Sequence, residues 1–229
     1  MTQERETIRQ SIRTPRAAAV AGILFALLLI SSEVLVWRYV PSVSTVAPAE
    51  IARHSRALAL AMNLRPFSGI AFLWFMGVVR NRLGNLEDRF FATVFLGSGL
   101  LYVAMMFIGG AVASAVLTVL ATGSNVFLNS GAYDLARAEV HKITSIYATK
   151  MAGVFMISSS TIFIQTRIVP RWMAMLGYGL ALILLVSATS LNWLAAVFPL
   201  WVLLISAYVL IQDRPSRTLS ATAPESSDD

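Results

Sequence analysis

Apolar residues in this chain come in long unbroken blocks, not at every second position or on one helical stripe. AAAVAGILFALLLISSEVLVW at 17–37 and WMAMLGYGLALILLVSA at 172–188 are the clearest. A helix needs about 20 mostly apolar residues to cross roughly 30 Å of hydrocarbon. The pattern predicts six such helices, over about 17–37, 58–79, 90–112, 148–166, 172–189 and 193–211, with the third stretch staying apolar to about residue 120. The fold class read here is all-α, a polytopic membrane bundle of six transmembrane helices. It forms one domain over 17–212, between a basic tail at 1–16 and a small, polar, disordered tail at 213–229. Two long outer segments, 38–57 and 121–147, interrupt it. The first apolar run is too long for the core of a secretion signal, so it reads as an uncleaved first span.

Composition sharpens the class. Of 229 residues, 57% are hydrophobic and 13% charged, with a mean hydropathy of +0.70, against about 25% charged in a soluble domain. The net charge of +6 would suggest nucleic acid as a partner in a soluble protein. Here the basic residues are scattered among short connections and tails, so they read as membrane-surface anchors and no nucleic-acid partner is expected. With no cysteine, disulfides, thiolate metal sites and thiol nucleophiles are excluded.

Orientation follows from Lys and Arg near the span ends. Arg5, Arg9, Arg13, Arg16, Arg80, Arg82, Arg89, Arg167, Arg171, Arg214 and Arg217 fall on one side. Fewer fall on the other, in much longer loops: Arg38, Arg53, Arg56, Arg65, Arg137, Lys142 and Lys150. Both termini are therefore expected on the cytoplasmic side. The polar stretch VVRNRLGNLEDRFF at 78–91 reads as a turn at that surface. Its cations suit a helix C-terminus, Gly84 a left-handed cap, Asn85 an N-cap, and Glu87 and Asp88 a first turn.

Function should show where ionisable residues enter spans, because lipid makes them expensive. Glu33, Arg65 and Lys150 are the candidates. Counting from the inner helix ends at about 1.5 Å per residue puts all three roughly 22–26 Å deep, in one layer. Lys150 shares a polar face with Ser158, Thr161 and Gln165, which should turn inward, and Glu33 shares a small-residue face with Gly22 and Ala26. Pro66 bends the helix beside Arg65 and frees a carbonyl. The outer ends of the second and fourth spans continue as amphipathic helices carrying His54 and His141. Asp134, Arg137, His141 and Ser145 line one side of the latter. Ser158, Ser159 and Ser160 read as hydroxyls bonding across helices. Trp37, Tyr39, Phe90, Phe91, Trp172 and Trp193 read as an interfacial belt.

The stretches VPRWMAMLGYGLALILLVSA at 169–188, FPLWVLLISAYVLI at 198–211 and TPRAAAVAGILFALLLISS at 14–32 resemble a family of uncharacterised bacterial integral membrane proteins, known as a domain of unknown function. The resemblance implies a multi-pass protein of the bacterial plasma (inner) membrane and implies no activity.

The resulting expectation is a membrane protein, non-enzymatic, that binds or transports a small polar or anionic ligand or a lipid headgroup in an outward-facing pocket. Glu33, Arg65, Lys150, His54, His141 and Thr161 would line it, with Glu33 as counter-ion to the two bases. Membrane lipids are the other partners. Two histidines without an acidic cluster make a poor metal site, and no cofactor is implied. Two rivals are a structural subunit whose charges only lock helices and a lipid-acting enzyme using a histidine as base.

Overall fold

The computed structural model describes residues 2–39, 53–83, 89–122, 127, 131–167, 169–187 and 193–212. The expected turn at 84–88, most of the first outer segment, part of the second and the C-terminal tail lie outside these residues. The described chain is helical and holds no strand. Its elements are α1 (Thr2–Tyr39), α2 (Ser55–Leu83), α3 (Arg89–Ala121), α4 (Ala132–Lys142), a π-helical turn (Ile143–Ala148), α5 (Thr149–Thr166), α6 (Arg171–Val186) and α7 (Leu194–Gln212). The segments over 132–166 are one continuous helix. α1 begins at Thr2, so the expected N-terminal tail is helical as well.

Among the described residues, four stretches are long and apolar enough to cross a membrane: Arg16–Tyr39, Ser55–Arg80, Phe90–Ala121 and Leu194–Gln212. α6 is apolar but only 16 residues long. α5 carries Lys150, three serines, three threonines and Gln165, which lower its apolar content. Its position explains how it keeps them. α5 packs against α3, α6 and α7, and its buried residues run from Thr149 to Phe163.

The helices close into a ring, with α1 against α2 and α7, α2 against α3, α3 against α5, and α5 against α6. Five of them each send one aromatic side chain to the centre: Phe25, Phe72, Tyr102, Phe155 and Phe198. Neighbouring rings in this cluster stand 4.7–6.5 Å apart, mostly edge to face. That arrangement suits the ring quadrupoles and adds about 0.5–1.5 kcal/mol per pair beyond area burial. At Gly22 the helices come so close that a Cβ would collide with Ser206 Oγ and lie 2.9 Å from Phe75, so any side chain there would force one of them to shift where α1 meets α2 and α7.

The outside is apolar too. Val20, Leu24 and Leu27 of α1, Phe67, Ile70 and Trp74 of α2, Leu100 and Leu101 of α3, and Met175, Leu182 and Val186 of α6 are all exposed. A surface this continuously apolar far exceeds the patches soluble monomers carry. Of the expected belt, Phe90, Trp172 and Trp193 are exposed, whereas Trp37, Tyr39 and Phe91 are half-buried, with Trp37 against the cavity described below.

Candidate functional site

The site begins at the α1–α2 seam. Ser32 Oγ donates to the Ala61 carbonyl at 2.7 Å, and Arg65 Nε donates to Ser32 Oγ at 3.3 Å. Arg65 Nη2 reaches Glu33 Oε1 at 3.0 Å. The pair is largely buried, with side-chain exposures of 7% and 16%. Ala61 precedes by one residue the carbonyl that Pro66 leaves without its usual helical donor, so the polar cluster gathers where the ladder is broken. One turn further along, Ser68 Oγ donates to the Phe25 carbonyl and fastens the same seam.

Glu33 and Arg65 form part of the wall of a cavity of about 260 Å³. The cavity lies at the end of the bundle where α1 and α3 finish and α2 and α4 begin. Its floor is the hydrophobic core, through Tyr102, Phe198 and Leu184. A second small apolar cluster of Leu58, Leu120 and Tyr133 closes the far side. α3 supplies an apolar wall of Met106, Ala113, Val116, Leu117 and Leu120.

The wall built by α4, the π turn and the start of α5 carries a polar stripe between Val140, Ala148 and Ala152. Tyr133, Arg137, His141, Ser145 and Thr149 line the cavity at intervals of four residues. Around an α-helix of 3.6 residues per turn, such a spacing drifts by about 40° per step, and its two ends would part company. The π turn's i→i+5 bonding takes up extra residues and swings the stripe back. Thr149 Oγ1 donates to the Thr144 carbonyl, five residues back, as this widened turn allows. His141 Nδ1 and Ser145 Oγ stand 3.4 Å apart. α3 comes close here: a Cβ at Gly109 would lie 2.6 Å from Thr144 Cγ2.

Of the six residues expected to form a pocket, Glu33, Arg65 and His141 line this one. The other three do not. Lys150 turns away toward α6, where Nζ donates to the carbonyls of Leu184, Leu185 and Ser187. Those carbonyls belong to the C-terminal end of α6, which has no helical donors of its own, and an ammonium with three N–H groups serves them. Lys150 is therefore no partner of Glu33. Thr161, on the same face, shares a 2.6 Å hydrogen bond with the Tyr178 hydroxyl of α6. The polar stripe of α5 is thus a helix–helix seam. His54 stacks on Tyr39 with ring centroids 4.7 Å apart, joining α1 to the start of α2.

The serine run corrects a second expectation. Ser158 and Ser159 donate to carbonyls one turn back in their own helix, not across helices. Back-bonding of this kind satisfies a hydroxyl locally in an apolar setting.

Arg137, Tyr133 and Tyr102 complete the lining and were not among the expected site residues. Arg137 is half-buried and has no hydrogen-bond or ion-pair partner among the described residues. The Tyr133 hydroxyl is buried and likewise without a partner among them. The four-residue spacing from 133 to 149 was the available signal, but it converges only because of the π turn. Among the described residues no three His, Asp or Glu side chains cluster as a metal site would need. The chain matches no family model, curated protein or solved structure, so the site stands on its own geometry.

Proposed function

We propose that this chain is a six-span protein of the bacterial plasma membrane, with both termini cytoplasmic, that binds a small polar or anionic ligand or a lipid headgroup without transforming it. The observation that carries this reading is the cavity, where an already neutralised pair, Glu33 and Arg65, faces a cation, Arg137, that has no partner among the described residues. Clefts of roughly 300–1,000 Å³, mostly apolar with a few placed polar groups, are the usual form of small-ligand sites. This one lies just below that range. The surplus of arginine near the opposite end of the helices favours an outward-facing mouth. Transport is one form of such binding, with α5 and α6 completing six spans because α5 is shielded by its neighbours.

The native chain has no cysteine, so single replacements report on water access. Leu135→Cys, on the exposed side of α4, should react with an impermeant maleimide added to intact cells, and Arg171→Cys should not. Ser145→Cys should react as well, because it lines the cavity. If the Ser145→Cys variant stays silent while the Leu135→Cys variant reacts, the cavity is sealed and the charges only lock helices. The reverse pattern at 135 and 171 inverts the orientation.

A second reading rests on the His141–Ser145 contact, the geometry of a base beside a hydroxyl nucleophile. Helical i,i+4 spacing brings such pairs together without selection for chemistry. Turnover of membrane lipid that is abolished by Ser145→Ala would favour an enzyme.

A further inference from the structure

We infer that the cavity's ligand is a single-tailed carboxylate, its acid group held by Arg137 with the Tyr133 hydroxyl beside it and its short apolar tail lying toward Tyr102 and Phe198. This rests on the ligand-binding reading above and names the class of ligand.

Charge fixes the head. Arg65 is matched by Glu33 at 3.0 Å, so the pair contributes no net charge to the cavity. Arg137 has no ion-pair partner among the described residues, which leaves the lining one positive charge in excess. One anionic group compensates it. A guanidinium presents paired N–H donors that match the two oxygens of a carboxylate, and such charge-assisted bonds are among the strong ones. Tyr133 stands one helical turn from Arg137 on the same face, 6% exposed, with its hydroxyl unpartnered among the described residues. A buried hydroxyl without a partner is costly, and an oxyanion beside Arg137 supplies one.

The walls fix the body. Opposite the polar stripe, α3 offers Met106, Ala113, Val116, Leu117 and Leu120 above Tyr102, and Phe198 and Leu184 complete an apolar floor. A free inorganic anion would leave that surface facing water. The volume of about 260 Å³ limits the tail. A space at the small end of ligand clefts suits one short chain better than the two chains of a phospholipid.

The test uses the full chain, purified in non-ionic detergent, and calorimetric titration with octanoate, octanol and inorganic phosphate. Octanoate should bind, octanol more weakly, and phosphate not measurably. Arg137→Gln should weaken octanoate by about tenfold or more, the effect of one hydrogen bond to a charged group, while Arg137→Lys retains part of it. Lys150→Met, which removes a cation outside the cavity, should leave octanoate affinity unchanged. Melting curves confirm that each variant is folded. Adding phosphatidylglycerol to the micelles should not displace octanoate.

Unchanged octanoate binding in folded Arg137→Gln would overturn the inference, as would phosphate binding equal to octanoate. Displacement by phosphatidylglycerol would assign the site to lipid headgroups instead. If octanol binds and octanoate does not, the cavity is a binding site but its ligand is uncharged. If none binds although the Ser145→Cys variant is labelled from outside, the carboxylate class is wrong and the open pocket stands. If none binds and the Ser145→Cys variant is silent, both readings fall.

Discussion

Arg65 on α2 donates to Glu33 on α1 at 3.0 Å, and with Ser32 between them they tie two span-length helices together beside a cavity. Removing one partner of a buried pair strands the other charge, which typically costs about 3–5 kcal/mol, whereas an apolar swap of both is often near neutral. Glu33→Gln should therefore destabilise by about that amount. Glu33→Leu with Arg65→Met, which makes both side chains apolar, should recover most of the loss. Unfolding in mixed micelles titrated with dodecyl sulfate measures both. A double variant worse than the single would show that the pair itself holds the helices.

Lys150 is the cation that sequence depth places with Glu33 and that the fold assigns to α6. Its ammonium serves the Leu184, Leu185 and Ser187 carbonyls. Lys150→Met should destabilise by about 1.5–3 kcal/mol, the worth of hydrogen bonds to a charged group. The loss should fall on the end of α6, seen as faster amide exchange near residues 184–187. Faster exchange along α1 and α2 instead would place Lys150 with the Glu33 cluster.

Gly109 sets the distance between α3 and the π turn. Adding a methyl there forces it to 2.6 Å from Thr144 Cγ2, on a stiff β-branched side chain. Gly109→Ala should cost about 1–3 kcal/mol, as overpacking usually does. Adding Thr144→Ser removes the clashing methyl and should restore most of it. Gly110→Ala, whose nearest contact is Arg65 Cδ at an ordinary 3.5 Å, should be tolerated. Thermal melting of the three variants checks this. Equal losses at 109 and 110 would mean the close approach is not what the glycine provides.

What could be read from the chain alone follows from which forces act locally. Helix-length apolar blocks reveal themselves because lipid requires about 20 residues per crossing, and the all-helical fold agrees. Glu33 and Arg65 could be matched by depth, since depth is a count along each helix. Lys150 lay at the same depth, but its direction depends on where α6 ends and which carbonyls need donors there, which no single-helix pattern contains. Arg137 could be placed on one helical side with His141 and Ser145, but a constant turn of about 100° per residue carries that stripe, and Tyr133 with it, away from Thr149. Only the π turn brings them to one wall. The hydroxyls of Ser158 and Ser159 bond within their own helix, a choice sequence leaves open.

A crystal structure of the full chain soaked with 8-bromooctanoate, with data collected at the bromine absorption edge, puts the cavity and its ligand class to the test together. We expect one anomalous peak inside the bundle near Tyr102, Met106 and Phe198, with the carboxylate against Arg137. Bromine found only on the apolar exterior, or a carboxylate directed away from Arg137, would refute the carboxylate site.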